Sequence, residues 1–96
     1  MFYVYILYSP SSDIYYVGST DDVERRLEEH NHLSENSFTS KHRPWDLKVA
    51  FDVSHSRTVA LKIEKHIKRQ KSRKYIEDII ERNSIERLIT KFSSVG

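Results

Sequence analysis

An α+β fold is predicted, with a three-stranded antiparallel sheet flanked by helices in the order ββαβααα. Three observations predict it. Two runs of aromatic and β-branched residues, at 2–8 and 14–18, are separated by five turn-forming residues. A third run, at 45–53, alternates apolar and polar residues with the two-residue period of a strand. The remainder, from about 56 to 92, is charged, with apolar residues recurring at helical spacing.

The first run, "FYVYILY", puts Tyr3, Tyr5 and Leu7 on one face and Phe2, Val4, Ile6 and Tyr8 on the other. Both faces are apolar or aromatic, so both should be covered. "SPSSD" at 9–13 is turn chemistry, and 14–18 should return antiparallel and end at Gly18. Thr20 is a candidate cap for a helix over about 21–31, with Asp21, Asp22 and Glu24 in the first turn, where the dipole favours them. The polar stretch 31–44 reads as a loop. In the third strand Trp45, Leu47, Val49, Phe51 and Val53 share one face by alternation. Helices are then expected over about 56–70, 72–82 and 84–92.

Ninety-six residues suit one domain spanning 1–96, with a core over about 2–80 and a C-terminal helical extension over about 81–92. Hydrophobic residues at 38% and charged residues at 31% exclude a disordered chain. No apolar run approaches the roughly 18 residues of a membrane span. The absence of cysteine excludes disulfides and thiolate metal sites. Without a recognisable export signal, a cytoplasmic location is the default expectation. Charge is uneven along the chain. Residues 1–40 carry two basic and seven acidic side chains, whereas residues 41–75 carry eleven basic and three acidic ones. Such a basic block suits a phosphate backbone, or else a solvated helix surface.

Several polar residues stand in unexpected places. On a helical wheel Glu64 falls inside the apolar arc formed by Val59, Ala60, Leu61, Ile63 and Ile67. A carboxylate turned toward a core needs a partner, which makes it a salt-bridge member, an acid of raised pKa or a metal ligand. On the preceding helix Arg26 and His30 are four apart and share a face beside Val23 and Leu27. Singly, Arg26 reads as a surface partner of Asp22, His30 as a half-buried helix-end histidine and Arg25 as a plain surface charge. Five of the six tyrosines lie in the first sixteen residues, where most should serve packing. It is the set that points to chemistry: phenols on paired strands, cationic groups on the next helix and an inward carboxylate on another.

In that order these positions resemble the GIY-YIG nuclease domain. Tyr3-Val4-Tyr5 matches the first half of the motif and Tyr16-Val17-Gly18 the second. The family arginine falls on Arg26 in "DDVERRLEEH", its histidine on His30, and its glutamate on Glu64 in "ALKIEKHIK". "RPW" at 43–45 looks like the small stand-alone branch of the family. Tyr3 replaces the first glycine and Val17 the second-motif isoleucine, while the matching tyrosines remain. Asn83 lies too far from Glu64 to be carried over as the late family asparagine.

The resemblance implies a metal-dependent endonuclease acting on DNA, with RNA as a second nucleic-acid partner to consider. It implies Tyr5, Tyr16, Arg26, His30 and Glu64 as catalytic residues, with Mg²⁺ or Mn²⁺ held by Glu64. Tyr5 would orient or deprotonate water, its pKa lowered by Arg26 and the cation. Arg26 would stabilise transition-state charge, Tyr16 would hold water or phosphate, and His30 would relay a proton. Gly18 would let a phosphate approach the strand end, and Lys68 and Lys71, nearest the Glu64 side of the basic run, would bind the nucleic acid. Several relatives use an additional domain for target choice, so a protein partner supplying specificity is expected. The competing expectations are a non-catalytic nucleic-acid-binding module of the same fold and a purely structural domain.

Overall fold

The computed structural model describes residues 1–33 and 38–93. Its strands are β1 (Phe2–Ser9), β2 (Ile14–Thr20) and β3 (Asp46–Ser54), and its helices α1 (Val23–Glu28), α2 (Arg57–Arg69), α3 (Arg73–Arg82) and α4 (Glu86–Ser93). A π-helical turn (Glu29–Leu33) extends α1, and a 3₁₀ turn (Thr39–His42) precedes β3. The expected order ββαβααα and the antiparallel sheet are present, with strand order β2-β1-β3. Part of the stretch read as a loop, 34–37, lies outside the described residues. The rest of it holds the two short helical turns.

A central strand is shielded from both sides, which is why both faces of β1 are apolar. Val4 and Ile6 join Val17 of β2, Val49, Phe51 and Val53 of β3, and Ala60, Ile63 and Ile67 of α2 in the main core. Ile79, Ile85 and Leu88 complete that core. α4 thus packs Leu88 into the same cluster as the sheet and α2. On the opposite face Tyr5, Leu7 and Trp45 form a second cluster, with Ile14, Tyr16 and Leu27 packed against it.

Trp45 and Leu47 do not share a face with Val49, Phe51 and Val53. Ile6 pairs with Val49, but Leu7 pairs with Leu47, so a bulge leaves Lys48 as the extra residue. One inserted residue turns the preceding side chains to the other face of the sheet. Trp45 accordingly packs with Tyr5 and Leu7, and Leu47 is 41% exposed.

β2 does not end at Gly18. Tyr5 pairs with Gly18 and Tyr3 with Thr20, and this pairing to β1 carries the strand two residues further. Thr20 is thus a strand residue, and Asp22 caps α1 by accepting from the Arg25 amide at 3.1 Å. Ser56 and Ser72 cap α2 and α3 in the same way. Arg73 of α3 reaches back to the hairpin turn, where it pairs with Asp13 at 2.6 Å and lies over the Tyr15 ring.

Candidate active site at the open edge of the sheet

Tyr5 lies on the central strand, yet its hydroxyl reaches the edge of the sheet. The reason is its partner: Gly18, directly across on β2, has no side chain, and the Tyr5 ring lies over it. A Cβ at Gly18 would collide with the Tyr5 hydroxyl and the ring carbon that bears it. The space over the glycine is therefore filled by the protein's own phenol, and Gly18 also lines the cavity beside it.

Tyr5 is 1% exposed and His30 3%. Tyr5 Oη and His30 Nε2 share a hydrogen bond of 2.9 Å. His30 sits in the π-helical turn, whose wider winding sets its ring against both Tyr5 and Tyr16. Burial pushes the Tyr5 hydroxyl up to about 12, against the pull of the Arg26 guanidinium beside it. Arg26 does pull this phenol down, as expected, but loss of hydration outweighs that one neighbouring charge. Burial also pushes His30 down to about 4, helped by the cations Arg26 and Arg43 and opposed by Glu29. At neutral pH this pair is a neutral phenol on a neutral imidazole. His30 Nδ1 is buried and has no hydrogen-bond partner among the described residues.

Arg26 extends from α1 beside Tyr5 and pairs with Glu29 at 3.0 Å, not with Asp22 as its spacing suggested. Asp22 is engaged in capping the helix, so its carboxylate already serves a backbone amide. Arg25 is more than a remote surface charge. It pairs with Asp21 at 3.0 Å and lines the same cavity as Arg26.

The carboxylate lies on the other side of the edge strand. Glu64 of α2 accepts from Ser19 Oγ at 2.6 Å through one oxygen and from Lys68 Nζ at 2.8 Å through the other. Its side chain is 16% exposed, and that of Lys68 46%. The inward carboxylate of the helical wheel is thus a rim carboxylate. Ala60, Ile63 and Ile67 are buried, whereas Leu61 is 36% exposed and faces the cavity with Glu64. The Lys68 ammonium also stands 5.4 Å over the Tyr16 ring, linking the carboxylate to the aromatic wall.

Tyr5, Tyr16, Gly18, Arg26 and Glu64 line one cavity of about 490 Å³. His30 stands behind Tyr5, and Lys68 reaches the cavity wall through Glu64 and Tyr16. Lys71 does not line it; it follows the end of α2 in a left-handed conformation, φ 48°. Asn83 caps α3 in a left-handed conformation and lines a different groove, beside β3. Ser19 and Arg57 belong to the cavity as well, and sequence reasoning missed both. Ser19 had a faint signal, its place directly after the tyrosine-glycine motif, but its partner lies 45 residues away.

Glu64 presents a single carboxylate, and among the described residues no group of three or more His, Asp or Glu side chains is placed to hold a metal. Such a donor set fits a hydrated divalent cation that draws most ligands from water and substrate phosphate, rather than a closed protein cage. Among the described residues, no helix is long and apolar enough to cross a membrane.

In an alignment of 52 residues that covers 51% of the chain, it is 42% identical to the structure-specific endonuclease subunit slx1 of Aspergillus terreus, and the match spans 13% of that protein. The family described as GIY-YIG catalytic domain matches residues 1–76, the whole sheet, α1, α2 and the start of α3. Most of the chain is covered by that match, and the chain belongs to the GIY-YIG catalytic domain family.

Proposed function

We propose that this chain is an endonuclease that hydrolyses phosphodiester bonds in DNA with the aid of Mg²⁺ or Mn²⁺, on branched, damaged or single-stranded targets. Support comes above all from one observation: phenols, a guanidinium and a carboxylate from four different elements line a single cavity. The named activity of the slx1 relative points the same way.

Hydrolysis adds water to phosphorus and breaks the bond to one ester oxygen. Tyr5, with its hydroxyl held up to about 12, is too weak an acid to wait as a phenolate. It serves instead as a bridge: its oxygen takes the proton of the attacking water while its own proton passes to His30 Nε2. His30 leaves that step as an imidazolium. A bound phosphate favours this state, because its negative charge offsets the cost of a buried cation. Arg26 presents its fork of donors to the added charge on phosphorus. Tyr16 orients water or phosphate from the cavity wall. Glu64 would hold the divalent cation, which lowers the pKa of bound water and stabilises charge on phosphate or leaving oxygen. Ser19 keeps the carboxylate turned to the cavity. Lys68 neutralises Glu64 until the cation and substrate arrive.

Gly18 acts by making room for Tyr5. Arg25, Arg57, Lys68 and Lys71 supply cationic groups for a nucleic-acid backbone, and a protein partner adds target choice. The test incubates plasmid, single-stranded and branched DNA with Mg²⁺ or Mn²⁺ and compares the parent with Glu64→Ala and Arg26→Ala. Both variants should lose cleavage by about 10²-fold or more while keeping their circular dichroism. Variants that cut as well as the parent refute the site. Binding without cleavage by the parent selects the non-catalytic module instead.

A further inference from the structure

Phe38 is 54% exposed, the most open of the large apolar side chains among the described residues. It does not stand alone. Its ring is nearly parallel to that of Tyr16, 26° and 6.4 Å away, and lies 4.7 Å from the ring of His42. Tyr16 in turn meets His30 edge-on at 4.9 Å and lines the cavity with Glu64. A row of rings thus leads from the candidate active site out to the surface and ends on an open aromatic ring.

The ledge is held firmly. His42 Nδ1 is hydrogen-bonded with Ser12 Oγ at 2.8 Å, and Trp45 beneath it donates its Nε1–H to the Thr39 carbonyl at 2.8 Å. Cationic side chains accompany it: Lys41 is exposed on the same 3₁₀ turn, and the Lys68 ammonium, paired with Glu64, stands over the neighbouring Tyr16 ring. An exposed aromatic ring accompanied by cations suits single-stranded nucleic acid, which takes a stacking surface for a base and positive charge for its phosphates.

We infer that the Phe38–His42 ledge stacks an unpaired nucleobase of a DNA strand whose neighbouring phosphate lies in the Tyr5–Glu64 cavity. This rests on the nuclease reading above and narrows its substrate class. A base offers its flat face only when it is not stacked within a duplex, so the ledge selects single-stranded or frayed DNA over continuous double helix. Phe38 is then a specificity-determining residue, separate from the groups that act on phosphorus.

The experiment uses the full chain in EDTA, so that binding is read without cleavage. Single-stranded DNA carrying 2-aminopurine, the matching duplex and a single-stranded RNA of the same sequence are titrated with the parent, Phe38→Ala and Phe38→Trp. Phe38→Ala should weaken single-stranded DNA binding about fivefold or more and relieve 2-aminopurine quenching, with duplex affinity within about twofold of the parent. Phe38→Trp should restore both signals. Unchanged single-strand affinity in Phe38→Ala, an equal loss on duplex, or a parent that binds no single-stranded DNA each overturns the ledge. A parent that binds the RNA alone overturns its assignment to DNA. Failure of the nuclease reading would show elsewhere, as absent cleavage or as full activity in Glu64→Ala, whichever strand is bound.

Discussion

The two halves of the candidate site are built on opposite principles. On one side of the edge strand Tyr5 and His30 are dry, 1% and 3% exposed, and both are displaced from their ordinary proton affinities by burial. On the other, Glu64 is held between a serine and a lysine at the rim, where water reaches both charged groups. The first half is set by the core and is ready before any substrate arrives. The second is held by two hydrogen bonds, of which the one from lysine can yield to a cation. Chemistry that needs a fixed proton path and an exchangeable ligand position can be assembled this way. The contrast also predicts how each half responds to damage: the dry half should lose stability together with activity, and the rim should lose activity alone.

The largest effect is expected from Tyr5→Phe. It removes the proton bridge and should lower the cleavage rate by roughly 10²–10⁴-fold. It also leaves His30 Nε2 buried without its partner, at a cost of about 1–3 kcal/mol in stability. Cleavage kinetics beside urea unfolding would check both, and a variant that cuts like the parent would break the comparison at its centre.

Acid should unfold the dry half next. His30 titrates at about 4 in the fold and near 6.5 when unfolded, so the unfolded chain binds more protons between these values. Stability is therefore full above about pH 6.5 and falls as the pH drops, by about 3 kcal/mol on reaching pH 4. Burial also lowers His66, which adds to the slope in the same direction. Urea midpoints at several pH values for the parent and His30→Gln would separate the two. An equal slope in both proteins would show that His30 is not held neutral by the fold.

Gly18→Ala should cost about 1–3 kcal/mol, because the added methyl must displace a buried phenol that has little room to yield. Cleavage should fall with it. Thermal unfolding together with the cleavage rate tests the linkage, and a fully active, fully stable variant would mean that Tyr5 is freer than its burial implies. Ser19→Ala should be mildest for the fold, within about 0.5 kcal/mol of the parent. Its effect belongs to the rim: about tenfold weaker Mn²⁺ binding, read by the paramagnetic signal of the free ion, as expected when a group that orients a ligand is removed. A large loss of stability instead would place Ser19 with the dry half.

Strand pairing explains what could not be read in advance. Gly18 and Thr20 carry the local marks of a strand end and a helix cap, yet both are paired with β1, a tertiary contact that overrides turn chemistry. Trp45 and Leu47 alternate faultlessly in sequence, but the bulge beside Lys48 turns them to the other face. Arg26 had two acidic residues at helical contact spacing, Asp22 four before and Glu29 three after, and capping by Asp22 left Glu29 as its partner. Ser19 gave only a faint signal because the carboxylate it holds is distant in sequence.

Periodicity and residue type were enough for the three strands, the helices and their order, because side-chain direction along a strand or helix is a local matter. The motif residues could be named from the chain through its resemblance to the GIY-YIG family. Their proton affinities could not. Those depend on water excluded by Leu7, Trp45 and Tyr16, residues brought around Tyr5 only when the sheet and its covering turn close together. Burial is a sum over neighbours distant in sequence, so only the tertiary structure decided that the Tyr5 hydroxyl is pushed up and not down.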